Sequence, residues 1–111
     1  MFNYAVTVSR NNAMPEEVAE SDYDIWRANA QSKGLVMTDW YYERDRKGRL
    51  HMHGIATHKR ANMLRRSVQL HGYHQRIDIL PTWLDLSHWN EYILKDQFQG
   101  YQFLDPDVNG G

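Results

Sequence analysis

The stretch WYYERDRKGRLHMHGIAT, residues 40–57, decides the fold. Trp40 to Arg44 continues a run from Leu35 that is rich in β-branched and aromatic residues, the composition of a strand. Asp45-Arg46-Lys47-Gly48-Arg49 is a tight polar connection, and Leu50 to Thr57 forms the returning strand. A three-residue loop of Arg46, Lys47 and Gly48, with glycine in the left-handed position, pairs Asp45 with Arg49. Glu43 then lies opposite His51 and Tyr41 opposite His53. Directly opposed residues share a face, with β-carbons about 5 Å apart. A four-residue loop would slip this register and turn Glu43 away from the histidines.

Working outward, Asn3 to Ser9 alternates with Tyr4, Val6 and Val8 on one side, the pattern of a half-buried strand. Pro15 suits the first turn of a helix running to about Ser32, with Val18, Ile25, Trp26 and Ala30 as its apolar members. Lys33-Gly34 ends it. Beyond the hairpin, Ala61 to His71 predicts a helix carrying Leu64, Val68 and Leu70, closed by Gly72. Tyr73 to Leu80 alternates again, with Ile77 and Ile79 inward, and Pro81 stops it. Asp85 to Asp96 predicts a last helix with Leu86, Trp89 and Ile93 at helical spacing. The order β-α-β-β-α-β plus a helix predicts an α+β fold. The layout is a ferredoxin-like, split β-α-β antiparallel sheet of four to five strands, with helices mainly on one face. Residues 1–97 are expected to form this domain and residues 98–111 a polar tail or linker.

A chain of 111 residues fits one compact domain. Its 41% hydrophobic and 24% charged residues argue against wholesale disorder. The absence of cysteine excludes a disulfide framework, a thiol nucleophile and cysteine-ligated zinc. No apolar run approaches the roughly 20 residues of a membrane helix, and MFNYAVTVSR lacks the features of a signal peptide. A soluble intracellular domain is expected, without a membrane partner. The net charge of −1 hides an uneven distribution. Between Arg44 and Arg76 lie nine of the 13 basic residues and one acid, Asp45. Glu16, Glu17, Glu20, Asp22 and Asp24 form an acidic cluster before them. Both clusters read as solvated surface, or alternatively as a basic face for a phosphate backbone opposite an acidic one.

His51-Met52-His53 is the strongest chemical signal. On a strand the two imidazoles share one face and Met52 points to the other. Such a pair can offer neutral nitrogens to a divalent metal, or can simply be hydrogen-bonded histidines. Glu43 would be the third ligand, leaving positions open for water or a phosphate oxygen, as catalytic Mg²⁺ or Mn²⁺ requires. On the last helix, Tyr92 and Lys95 project from nearly the same side. Tyr92 is either an amphipathic surface residue or a nucleophile. A phenol with an ordinary pKa near 10 needs a metal and a nearby cation to attack phosphorus at neutral pH. Trp40, Tyr41, Tyr42, Tyr73, Trp83 and Trp89 serve as core or as stacking platforms for unpaired bases. Neither a GxxxxGK[ST] loop nor a GxSxG elbow occurs.

These pieces together resemble the HUH endonuclease domain of replication initiator (Rep) proteins from circular single-stranded DNA viruses and rolling-circle plasmids. His51-Met52-His53 is similar to the family's His-hydrophobic-His motif, and Glu43 sits eight residues upstream, where a carboxylate ligand is common. Tyr92-Ile93-Leu94-Lys95 resembles the Tyr-x-x-Lys motif of the eukaryotic-virus branch. Val6 to Asn12 resembles the first Rep motif, Phe-Thr-x-Asn-Asn, with phenylalanine replaced and extra residues intervening. The likeness spans about residues 4 to 96.

The resemblance implies a metal-dependent nicking and joining endonuclease acting on single-stranded origin DNA, often a hairpin or stem-loop. Tyr92 would attack the scissile phosphate and keep the 5′ phosphate, releasing a 3′ hydroxyl that primes rolling-circle synthesis. Glu43, His51 and His53 would hold Mg²⁺ or Mn²⁺, and Lys95 would help position the phosphate. Arg10, Asn11, Asn12, Arg44, Arg46, Lys47, Arg49, Lys59, Arg60, Arg65 and Arg66 would contact DNA, making binding salt-dependent. A helicase domain or host replication proteins are the implied partners. The host nucleus is the implied location for a eukaryotic virus, and the cytoplasm otherwise. The rival readings are a single-tyrosine transposase or relaxase, a non-catalytic nucleic-acid-binding module with aromatics on its open sheet face, and a structural zinc protein.

Overall fold

In a computed structural model of the chain, residues 1–10, 14–63 and 65–86 are described. The chain divides into two units, Met1–Leu80 and Pro81–Gly111. Of the second, residues 81–86 are described, with a turn in which Leu84 N donates to Pro81 O at 3.1 Å. The expected last helix lies outside the described residues from Ser87 onward.

The first unit is α+β. Its elements are β1 (Phe2–Ser9), α1 (Glu16–Ser32), β2 (Val36–Arg44), β3 (Leu50–His58), α2 (Arg65–Val68) and β4 (His74–Ile79). Among the described residues the four strands form one antiparallel sheet in the order β2-β3-β1-β4. β1 and β2 therefore run parallel with β3 between them, an arrangement compatible with a ferredoxin-like layout.

One face of the sheet buries Tyr4, Val6 and Val8 of β1, Leu50, Met52 and Ala56 of β3, and Ile77 of β4. Helix α1 closes over it with Ala19, Tyr23, Trp26 and Ala30. Their spacing, four, three and four, is one helical stripe. Val18 and Ile25, expected inside, are instead 49% and 58% exposed. The inner stripe is two alanines and two aromatics. Tyr23 and Trp26 also deliver polar ends to partners: Tyr23 Oη donates to Leu50 O, and Trp26 Nε1 to Gln75 Oε1 at 2.6 Å.

The helix expected over 61–71 shortens to the four residues of α2. Gln75 supplies the reason. Its Oε1 accepts from Leu70 N at 2.8 Å, and its Nε2 donates to Leu70 O at 3.0 Å and Tyr73 O at 2.9 Å. The Leu70 amide is thus drawn away from the carbonyl it would meet in a continued helix. Val68 still reaches the core. Ile79, expected inward, is 41% exposed at the end of β4.

The hairpin has the expected register. Glu43 pairs with His51, Tyr41 with His53 and Arg44 with Leu50. Asp45 N donates to Arg49 O at 2.9 Å, Gly48 N to Asp45 O at 3.0 Å, and Gly48 takes a φ of 78°. Farther along β2 the register shifts between Met37 and Asp39, a bulge at Thr38. Gly54, opposite Trp40, is required by close approach: a β-carbon there would meet the Asp39 carbonyl, the Met37 side chain and Trp40 Cβ.

Candidate metal and nucleic-acid site

The sheet face opposite α1 carries the chemistry. Thr7 pairs with His53 and Ser9 with His51 across β1 and β3, while Tyr41 and Glu43 flank the same imidazoles from β2. Thr7, Ser9, His51 and His53 are all buried. Met52, between the histidines, points into the core, as strand alternation demands.

The two rings are nearly parallel, 12° apart, with centroids 6.5 Å from one another. Tyr41 stacks on His53 at 5.2 Å. Thr7 Oγ1 lies 3.3 Å from His53 Nδ1. Glu43 Oε2 lies 3.5 Å from His53 Nε2, is buried, and makes no hydrogen bond among the described residues. Burial pushes the Glu43 carboxyl above its usual range. Burial, and then the charge of Glu43, push the Tyr41 phenol up to about 12. Tyr41 is therefore a neutral phenol at physiological pH.

A second acid joins the site that sequence reasoning did not assign to it. Asp45 Oδ2 is 2.8 Å from His51 Nε2. Its Oδ1 accepts from Lys47 N and Arg49 N, both at 2.9 Å, and its Oδ2 from Arg49 Nε at 2.8 Å. Burial raises the Asp45 carboxyl, but the hydrogen bonds from His51 and Arg49 outweigh it and hold the group below its usual range. The signal was present in the hairpin register. Tyr41, Glu43 and Asp45 alternate onto one face, and Arg49 precedes His51 by two.

Among the described residues no three His, Asp or Glu side chains converge at metal-ligand distance. Glu43, His51 and His53 still supply one carboxylate and two imidazoles on one face, donor types that divalent transition metals accept. The buried Glu43 oxygen, without a hydrogen bond among the described residues, faces an imidazole nitrogen, and a second imidazole lies on the same face.

The expected DNA-contacting residues fall into separate places. Arg44, Arg46 and Lys47 are exposed on the β2–β3 hairpin, where Arg44 Nη1 donates to Gly48 O at 2.8 Å. Lys59 and Arg60 are exposed beyond the far end of β3, roughly 30 Å along a nine-residue strand. Arg65 and Arg66 are exposed on α2. Arg10 lies over the Tyr73 ring at 4.5 Å and 3.8 Å from Asp22. Arg49 differs from the others: it is 4% exposed, and its guanidinium is ion-paired with Asp45 at 2.7 Å. Asn11, Asn12, Tyr92 and Lys95 lie outside the described residues.

Comparison with known proteins adds no relative: no protein-family model matches the chain, no curated protein matches it, and no solved structure matches it.

Proposed function

We propose that this chain is a ferredoxin-like endonuclease of the HUH type, which nicks and rejoins single-stranded DNA through a phosphotyrosine at Tyr92. The observation that carries the reading is the pairing of Glu43 with His51 on a face shared with His53. That register puts one acid and two imidazoles within side-chain reach of each other on a buried surface. The face holds few aromatics among the described residues, Tyr41 being the tyrosine that flanks the histidines. A stacking platform for bases would show the opposite balance.

Glu43, His51 and His53 would hold Mg²⁺ or Mn²⁺, which supplies charge stabilisation at a non-bridging phosphate oxygen when bound. The chain's own residues do the rest. The Tyr92 oxygen forms the new bond to phosphorus as the bond to the 3′ oxygen breaks, and the phenolic proton ends on the released 3′ hydroxyl. The phosphotyrosine ester conserves the energy of the phosphodiester, so the reverse attack by a 3′ hydroxyl rejoins ends without ATP. Lys95 offsets charge on the phosphate, and Arg44, Arg46 and Lys47 hold the strand's backbone beside the histidine end of β3. Replication-origin DNA is the substrate this chemistry suits, and rolling-circle initiation is the process it would serve.

Incubation with stem-loop single-stranded oligonucleotides and Mn²⁺, followed by denaturing electrophoresis, tests the reading. The expected result is a covalent protein–DNA band that disappears with EDTA and in Tyr92→Phe, while Tyr92→Phe still binds DNA. DNA binding with no covalent band under any metal would leave a binding module instead. Full-rate nicking by Tyr92→Phe would overturn the nucleophile.

A further inference from the structure

His51 meets a carboxylate that the proposed metal set does not use. Asp45 is fixed from three sides: two main-chain amides of its own turn hold Oδ1, while the Arg49 guanidinium and the His51 ring hold Oδ2. Arg49 is itself buried, so its charge is matched locally by Asp45. A carboxylate in a close ion pair with a buried guanidinium is ionised and can only accept hydrogen bonds. The proton between it and His51 Nε2, at 2.8 Å, therefore belongs to the imidazole. In a neutral ring the lone pair then resides on Nδ1.

We propose that Asp45, clamped by Arg49, is the positioning residue for His51. It fixes the ring's orientation and its Nε2–H tautomer, so that Nδ1 is the nitrogen able to ligate a divalent cation. The second half of this statement rests on the metal-dependent reading above; the first half does not. Histidine ligands elsewhere owe their orientation and basicity to such outer carboxylates, whose loss weakens metal affinity about 10–100-fold. Here the outer carboxylate is supplied by the hairpin turn itself, so the loop that sets the register of Glu43 also sets the ring of His51.

Long-range ¹H–¹⁵N NMR of the metal-free wild-type chain at pH 8 reads the tautomer, with His51 signals assigned by their loss in His51→Gln. The expected result is a pyrrole-like Nε2 and a pyridine-like Nδ1; the reverse pattern overturns the proposal. Loss of the free Mn²⁺ electron paramagnetic resonance signal then measures metal affinity in the wild type, Asp45→Asn and Arg49→Lys. A drop of about 10–100-fold in both variants is expected, with unchanged far-ultraviolet circular dichroism. Wild-type affinity in either folded variant overturns the positioning role. Because Asp45 also holds its turn, Arg49→Lys decides the matter should Asp45→Asn unfold. A wild-type chain that binds no Mn²⁺ sinks the metal-dependent reading, and the tautomer then decides the Asp45–His51 pair by itself.

Discussion

Glu43 at the end of β2 and Asp45 in the turn that follows are driven in opposite directions by their surroundings. Burial raises Glu43, so the folded chain binds its proton more tightly than the unfolded chain does. Stability is then lost as pH rises from the ordinary glutamate value through the raised one. Glu43→Gln in metal-free protein should raise the melting temperature at neutral pH, and the gain should vanish below the ordinary value. Asp45 is held low against its burial, by His51 first and then Arg49, so its stabilisation is present at neutral pH. That stabilisation drains away as pH falls through the depressed value. Asp45→Asn should therefore cost stability at pH 7 and progressively less in acid, which thermal melts across pH would record. Gly54 is a residue of another kind, required by backbone proximity rather than charge. Gly54→Ala must displace the Asp39 carbonyl and should destabilise by about 1–3 kcal/mol in urea titration.

At the level of elements, the hairpin was the most legible part of the chain because its information is local. Gly48 in a polar three-residue loop dictates the register, and the register places Glu43. Nothing packs within 4 Å of a β-carbon built at Gly48, so Gly48→Ala tests backbone conformation alone. It should cost about 1 kcal/mol in equilibrium unfolding, the penalty of an L-residue at positive φ. Helix α1 was legible in extent but not in phase. Val18 and Ile25 look like its core by hydropathy, whereas Ala19 and Tyr23 are the residues buried. Two of the buried residues are held by polar contacts that hydropathy does not encode, Tyr23 to the Leu50 carbonyl and Trp26 to Gln75. The shortening of α2 was illegible for a related reason, since the group that ends it, Gln75, comes from the next strand. Arg49 looked like one more surface cation in a basic run. Its burial follows from pairing with Asp45 in the same turn, a contact that counting charges does not reveal.

Across the whole molecule, a net charge of −1 gives no general attraction for DNA, so any affinity must come from where the cations sit. The structure separates the hairpin cations from Lys59 and Arg60 by the length of β3. Under the proposed function, salt titrations of single-stranded DNA binding should distinguish the groups. Each phosphate contact contributes about 0.7 to the slope of log affinity against log salt. The double variant Arg46→Ala/Lys47→Ala is expected to flatten that slope by about 1.4 and to lower nicking. Lys59→Ala/Arg60→Ala should produce the smaller change in affinity. An equal effect of both pairs would show that the bound strand runs the full length of the sheet.

The surplus residue at Thr38 has a consequence for how this chain tolerates change. It sits between the start of β2, where Val36 and Met37 pair with Thr57 and Ala56, and the stretch that pairs with the imidazoles. A change of register before the bulge therefore need not carry through to the pairs beyond it. The alignment of acid and rings is metered from the opposite end, and would be left undisturbed.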